Sequence, residues 1–495
     1  MTFRALRCRG ITLAVTGLVV LALTDTGCAA PKTVTGTSAF ADTGTPAPGE
    51  VLGLDETADR LQKDVAKVWR HMDRIWPGTD YAEHMLLVTD GKAAWSITPR
   101  GRNRVPLADL KRRNIAVPRA GGFTMTEWDG QHAVVVALEA RDYARGLPDR
   151  DPSGMFPKNA TSLLFDTATH EQFHAYVQHD GETTRWKALA KPLHGSDVTG
   201  RATYYPIRKE ETLFRVLLYN SLLDAGRDEA RRAGHLQAAA WWEQQLAKTL
   251  PEQHRALSRT DVLEGTANYV GKLAFVQANA GGSLDAARQA YFTSLKHITD
   301  PEKIQGDTGS YYVGLASLLL ADHLGSGARV KQQSESSGQT PQQLLLKGIA
   351  PKRQSVPESL EARARAQARA ANQQLGEVLD PLAQVYAEPS TVLLRLPAKA
   401  ARSDFQSNGY YKADKLPFTV ALGSTGSLSL KGGSLEVRET SVGFDGPDLV
   451  LMLDPATVRH EGDTLTVDAD DAEGAFTVSA SRSDGHRVFT ARLAD

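Results

Sequence analysis

Five consecutive residues carry the side-chain types and the spacing that could do chemistry: His170-Glu171-Gln172-Phe173-His174. Residues four apart lie one above the other on a helix, so the imidazoles of His170 and His174 can reach one metal ion. Glu171 lies about 100° further around the same helix, from where it can act as general base for a water that the metal activates. The pentapeptide therefore predicts a helix, a metal ion and metal-assisted hydrolysis.

The residues that flank this motif predict a buried helix. Glu171 is the only charged residue between Thr167 and Gln178, and large apolar residues surround it: Leu163, Leu164, Phe165, Phe173 and Val177. A buried glutamate beside two histidines is costly unless a partner such as Zn²⁺ pairs with them. The alternative is an ordinary helix whose two histidines face solvent.

A catalytic zinc site needs three protein ligands, and two extended patterns offer the third. The first continues the motif as H-E-x-x-H-x-x-G-x-x-H, but Val177 stands where this pattern needs glycine and Asp180 where it needs histidine. The second places a glutamate on a later helix, and Glu264 opens such a segment. Glu210 and Glu211 are the reserve candidates.

The segment Glu264-Gly265-Thr266-Ala267-Asn268-Tyr269 is similar to the E-G-x-A-x-Y segment that carries the zinc glutamate in aminopeptidase-N-like gluzincins. Asn268 stands where thermolysin-like enzymes have the aspartate that orients a zinc histidine. The resemblance implies a gluzincin-type zinc metallopeptidase with His170, His174 and Glu264 on the metal. We expect Gly265 and Ala267 to let this helix approach the motif helix closely.

Two tyrosines are candidates for the oxyanion contact that many zinc peptidases make with a tyrosine or histidine. Tyr311 and Tyr312 precede an apolar helix predicted over Leu315 to Leu324. The alternative is a pair of packing aromatic residues at the start of that helix. Three more histidines are looser candidates for the site: His179, His254 and His323.

The N-terminal residues resemble a bacterial lipoprotein signal. Three arginines precede a short apolar stretch over Ile11 to Thr24, and Gly27 stands directly before Cys28, although Asp25 replaces the usual leucine. We expect a signal peptide over 1–27, a lipid anchor at Cys28, a flexible tether over 28–50 and an extracytoplasmic location at the cell membrane. The alternative is simple secretion.

The elements that must position the motif follow an order similar to that of the zincin fold. A helical pattern runs from Glu56 to Ile75, and strand patterns follow between Met85 and Leu138. The motif helix comes next, and helices are predicted from Arg208 to about Ala280. We therefore predict an α+β fold with a zincin-like catalytic domain over 51–385, whose N-lobe bears the sheet and whose C-lobe is helical.

The last part of the chain predicts an all-β C-terminal module over 386–495. Strand-like alternation is interrupted by turn dipeptides such as Asp445-Gly446 and Asp484-Gly485. The module would be a sandwich or a small barrel. It would serve as a structural cap or bind a substrate or the cell wall.

Composition limits the range of functions. The chain is 41% hydrophobic and 23% charged with a net charge of −1, so it lacks the basic field that nucleic-acid binding needs. We predict an extracytoplasmic zinc-dependent peptidase that acts on peptides or proteins, or another zinc hydrolase on the same scaffold. The alternative is a surface lipoprotein whose zinc is structural or vestigial and whose β module does the binding.

Overall fold

The computed structural model describes residues 52–113, 115, 117–118, 122–138, 160–178, 186, 202–280, 283–306, 308–401, 405, 407 and 409–494. The expected signal peptide, Cys28 and the tether lie outside these residues, as do His179 and Asp180. The described chain divides into two units, one formed by residues between 52 and 186 with 210–364, and the other by 202–209 with 365–494. The second unit thus begins upstream of residue 386 and includes an earlier segment of the chain.

The N-terminal part of the first unit is a five-stranded sheet with two helices. The strand order is β3-β2-β1-β5-β4, in which β1 and β5 are parallel and the other pairs are antiparallel. The elements are α1 (Leu54–Val68), β1 (Met85–Thr89), β2 (Ala94–Thr98), β3 (Gly101–Val105), α2 (Leu107–Arg112), β4 (Phe123–Trp128) and β5 (Gln131–Ala137).

The helical pattern from Glu56 to Ile75 is not one helix. α1 ends at Val68, and a 3-10 helix over Trp69–Arg74 follows, with a non-helical residue at His71. All the apolar positions of the pattern are buried nonetheless. The 3-10 segment continues the chain after α1, and its apolar residues still face the core.

Strand β3 is missing from the sequence-based prediction because its residues, GRNRV, are mostly polar. It pairs with β2 as an edge strand. Arg102 forms an ion pair with Asp59 of α1 (2.7 Å) and its guanidinium lies over the ring of Trp95 at 3.9 Å from the centroid. Charged side chains are common on edge strands, and here the charge of Arg102 is paired with Asp59.

The other described residues of the first unit lie mostly in helices, as predicted. The helices are α3 (Ala160–Phe173), a π-helical turn (His174–Gln178), α4 (Lys209–Arg227), α5 (Arg232–Thr249), α6 (Pro251–Asn279), α7 (Leu284–Ser294), α8 (Thr308–His323), α9 (Gly327–Ser337) and α10 (Pro341–Leu345). Residues 332–340 are rich in glutamine and serine, a composition typical of a loop, yet they fall largely in α9. Val330, Ser334 and Glu335 form a buried face there, which polar composition concealed.

The second unit combines one long helix with the predicted β-rich region. α11 (Glu358–Ala387) is followed by β7 (Val392–Pro397), β8 (Tyr410–Ala413), β9 (Thr419–Leu430), β10 (Gly433–Asp445), β11 (Asp448–Leu453), β12 (Val458–Glu461), β13 (Thr464–Ala469), β14 (Ala472–Ser483) and β15 (His486–Ala491). Strand β6 (Thr203–Tyr205) joins this sheet by pairing in parallel with β8. The mixed α+β class with an all-β C-terminal sheet is therefore confirmed.

The sheet of the second unit closes on itself. Its pairings run β10-β11-β7-β15-β14, and β14 pairs back to β10 through Ser434–Val437. Leucine, valine and phenylalanine side chains fill the enclosed core, including Leu394, Leu435 and Phe476. The Asp484-Gly485 turn has positive φ at both residues, as a tight hairpin between β14 and β15 requires. Of the two predicted alternatives, a sandwich and a small barrel, the closed ring of strands corresponds to the barrel.

Among the described residues, none of the helices combines the length and the apolar composition of a membrane span.

Helices α6 and α8 cross with almost no space between their backbones. A Cβ built on Gly314 would lie 2.4 Å from the Cα of Gly265, and one on Gly265 would lie 2.9 Å from the Cα of Gly314. Gly265 therefore permits the approach of α6 to α8, and not to α3 as the sequence suggested. Only glycine fits at both positions, because the opposing atoms belong to the backbone.

Gly314→Ala is predicted to destabilise the first unit by about 1–3 kcal/mol, the usual cost of overpacking, because the added methyl group meets backbone that cannot rotate away. Gly234→Ala is the matched control, since its Cβ would meet nothing within 4 Å in α5. That change should be neutral or stabilise by up to about 1 kcal/mol. Urea unfolding of both variants measures the difference, and equal midpoints would contradict the close crossing.

Candidate metal centre

The pentapeptide lies at the junction of α3 and the π-helical turn. His170, Glu171, Gln172 and Phe173 end α3, and His174 begins the π turn. All five side chains are buried. A single turn of π-helix within a helix is uncommon and is often found at functional sites.

Three side-chain atoms from two helices meet in this interior. Glu264 Oε2, on α6, lies 3.3 Å from His170 Nε2 and 3.1 Å from His174 Nε2, and the two Nε2 atoms are 2.9 Å apart. Ligand atoms at about 2.1 Å from a tetrahedral ion are about 3.4 Å from one another. The triangle therefore has nearly the dimensions of one face of a tetrahedral metal site.

The chemistry of this donor set fits a cation. A carboxylate oxygen carries no hydrogen, and a neutral imidazole has one N–H for its two nitrogens. Burial lowers the pKa of His170, and the neighbouring His174 lowers it further, against the opposing effect of Glu264. One hydrogen can bridge only two of the three atoms, whereas one metal ion can bind all three. His170, Glu171 and His174 also have ligand-type atoms within 4.8 Å of one another and could hold a metal ion.

A close approach of α6 to α3 brings Glu264 to the histidines. A Cβ on Gly271 would lie 2.7 Å from Asp166 Oδ1 and 3.3 Å from His170 Cβ. Lys272 and Asp166 form a buried ion pair between the same two helices. Gly271 and the adjacent ion pair therefore bring α6 close to α3. This approach was predicted to depend on Gly265 and Ala267.

The two variable positions of the motif, Gln172 and Phe173, attach α3 to its surroundings. Gln172 Nε2 donates to the carbonyl oxygen of Met85 at the start of β1 (3.0 Å), and its Oε1 accepts from His84 Nδ1 (2.9 Å). Phe173 contacts Trp76 edge to face, with ring centroids 5.2 Å apart. These contacts fix the rotation of α3, and therefore the direction in which the two imidazoles point.

A buried polar network holds α6 from the other side. Asp261, three residues before Glu264, accepts hydrogen bonds from Arg215 (2.6 Å), Ser310 (2.6 Å) and Gln342 (2.5 Å). These donors come from α4, α8 and α10. The network anchors the turn that carries Glu264.

The reserve ligand candidates lie elsewhere. Glu211 is buried on α4, where Gln253 donates to it (3.3 Å); burial raises its pKa, and Arg215 opposes this shift. Glu210 is half-buried on the same helix. His254 is bonded to Glu243 (2.8 Å), and His323 to Gln289 (2.8 Å).

The two tyrosines lie inside the first turns of α8, which begins before them at Thr308. The ring of Tyr311 is 5.8 Å from that of His170. Tyr312 packs edge to face on Tyr219, with centroids 5.5 Å apart. Tyr311 therefore lies beside a motif histidine.

Gln178, which was not among the residues predicted for the site, contacts a motif histidine directly. Gln178 Oε1 lies 2.5 Å from His174 Nδ1. Asn268, which was expected to orient a liganding imidazole, donates through Nδ2 to the carbonyl oxygen of Tyr311 (3.0 Å), and its role towards an imidazole stays a prediction. Gln178 stands four residues after His174, on the same helix face, and that spacing was the available signal.

Comparisons with family models, with curated proteins and with solved structures find no match to this chain. The interpretation of the site therefore depends on its residues and their geometry.

The burial of His84, which contacts Gln172 of the motif, makes the stability of the first unit sensitive to acid. Burial lowers the pKa of His84 to about 4, with a smaller contribution from His132, while Gln172 and Asp80 oppose the shift. An unfolded histidine titrates near 6.5. Between these values the unfolded chain takes up a proton that the folded protein does not, so stability is lost as the pH falls.

We predict that His84 alone accounts for a loss of up to about 3 kcal/mol between pH 6.5 and pH 4. His84→Phe keeps a ring against Tyr81 and cannot titrate, so its stability should change less over this interval. Urea unfolding at several pH values measures both slopes. Identical slopes for the variant and the wild type would contradict the assignment.

Proposed function

We propose that the chain is a zinc-dependent peptidase in which His170, His174 and Glu264 hold the metal. The observation that carries the proposal is the position of Glu264 Oε2, which lies within 3.3 Å of both motif Nε2 atoms although the residue comes from a separate helix. Two histidines and one glutamate form a known catalytic zinc set that leaves the fourth position open. The motif pattern itself favours hydrolysis of an amide bond.

The residues of the chain would divide the reaction among them. When bound, zinc supplies a Lewis acid that polarises a carbonyl group and acidifies water. Glu171, whose carboxylate lies within 4.8 Å of the histidine nitrogens, would take the proton of the attacking water and pass it to the leaving amine. Tyr311 is our candidate for a hydrogen bond to the oxyanion, since its ring faces His170.

Two substitutions separate metal binding from catalysis. Glu171→Gln should keep zinc and lose about 10²–10⁴-fold in peptide hydrolysis, because it removes the base but not a ligand. Glu264→Ala should lose zinc as well as activity. Glu210→Ala is the control, since its half-buried side chain lies on α4. Zinc content after dialysis and turnover of a peptide library are measured on all three.

The outcomes distinguish the alternatives. Wild-type turnover by Glu171→Gln would refute the mechanism, and full zinc retention by Glu264→Ala would remove that residue from the site. A wild-type protein that holds zinc and cleaves no peptide would favour the surface lipoprotein with structural or vestigial zinc.

We further propose that the protein is exported and anchored to the cell membrane through Cys28. The proposal is supported by the basic residues, the apolar stretch and the Gly27-Cys28 pair of the N-terminal segment. Cys28→Ser should release the protein from the membrane fraction into the soluble fraction. Equal distribution of the variant and the wild type between these fractions would exclude the acyl anchor.

A further inference from the structure

Gln178 connects the two helices that bear the proposed ligands. Its Oε1 lies 2.5 Å from His174 Nδ1, and its Nε2 donates to the carbonyl oxygen of Leu263 (3.0 Å) and to Thr266 Oγ1 (2.8 Å). Leu263 and Thr266 lie on either side of Glu264 on α6. Gln178 is fully buried, so water does not offer its amide other partners.

The hydrogen bonds of this network have one consistent direction. Thr266 Oγ1 donates to the carbonyl oxygen of Val262 (2.7 Å), which leaves its lone pairs to accept from Gln178. The carbonyl oxygen of Leu263 can only accept. Both contacts therefore require the NH₂ group of the Gln178 amide on the α6 side, and the amide oxygen must face His174.

The orientation of the amide determines the tautomer of the imidazole. The amide oxygen can only accept, so His174 Nδ1 must carry the hydrogen. In a neutral ring this leaves a lone pair on Nε2, the atom that lies 3.1 Å from Glu264 Oε2. The backbone of α6 thus specifies, through Thr266 and Gln178, which nitrogen of His174 is free to bind a metal.

We propose that Gln178 is a positioning residue that holds His174 in the Nδ1–H tautomer and holds the π turn at a fixed distance from the segment around Glu264. The tautomer follows from the protein alone, and its consequence for zinc affinity rests on the proposed function. Partners of this kind typically change metal affinity by about 10–100-fold.

The experiment measures the tautomer and the zinc affinity separately. ¹⁵N NMR of histidine-labelled, metal-free protein should show the Nδ1–H form for His174, identified by the signal that His174→Gln removes. Gln178→Met keeps a long unbranched side chain without hydrogen bonds. It should abolish the preference for this tautomer and weaken zinc binding by about 10–100-fold, measured by competition with a chelator.

Gln253→Met is the matched control, because it removes a buried amide from α6 that donates to Glu211 and not to His174. It should leave the His174 tautomer unchanged. Thr266→Val, with Thr266→Ser as its conservative partner, tests the network if Gln178→Met does not fold. The Thr266→Val protein should show a weaker preference for the Nδ1–H tautomer of His174, and the Thr266→Ser protein should keep that preference.

Two results would overturn the proposal: an Nε2–H tautomer of His174 in the wild type, or wild-type zinc affinity in a folded Gln178→Met protein. A different result would concern only the proposed function. If the wild type showed the Nδ1–H tautomer but bound no zinc, the tautomer assignment would be supported and the metallopeptidase would be refuted.

Discussion

The buried carboxylate of Glu264 against two imidazole nitrogens is the interaction on which the rest of this unit depends. In water these groups would be solvated separately, but here burial removes that solvent. Burying a carboxylate is unfavourable unless partners compensate it; a bound cation would offset this cost, and the surrounding structure holds the three side chains together. The cost explains why so many polar contacts converge on α3 and α6.

Those contacts work at two levels. Glycine residues set the distances: Gly271 brings α6 against α3, while Gly265 and Gly314 bring α6 against α8. Buried polar groups then fix the angles, through the Asp166–Lys272 ion pair and the hydrogen bonds of Asp261. Breaking a buried ion pair of this kind typically costs about 3–5 kcal/mol, so the geometry is stiff before any ligand arrives.

The sequence predicted what short-range periodicity can encode and missed what depends on distant partners. The motif spacing gave a helix at α3, and the segment from Glu264 identified the carboxylate that the structure places beside both histidines. Strand β3 was missed because its residues are mostly polar and one of them, Arg102, pairs with the distant Asp59 of α1, and α9 was missed because its buried face is polar. The spacing from His174 to Gln178 could have signalled their contact, but the role of Gln178 also depends on Leu263 and Thr266, which lie far away in the sequence.

The most direct test of the account is the coordination of zinc in the wild-type protein. The purified chain should retain about one zinc per molecule after dialysis. X-ray absorption at the zinc edge should then show two imidazoles and one carboxylate oxygen at about 2.0–2.2 Å. A chain that retains no zinc, or a spectrum without two imidazole ligands, would contradict the central claim.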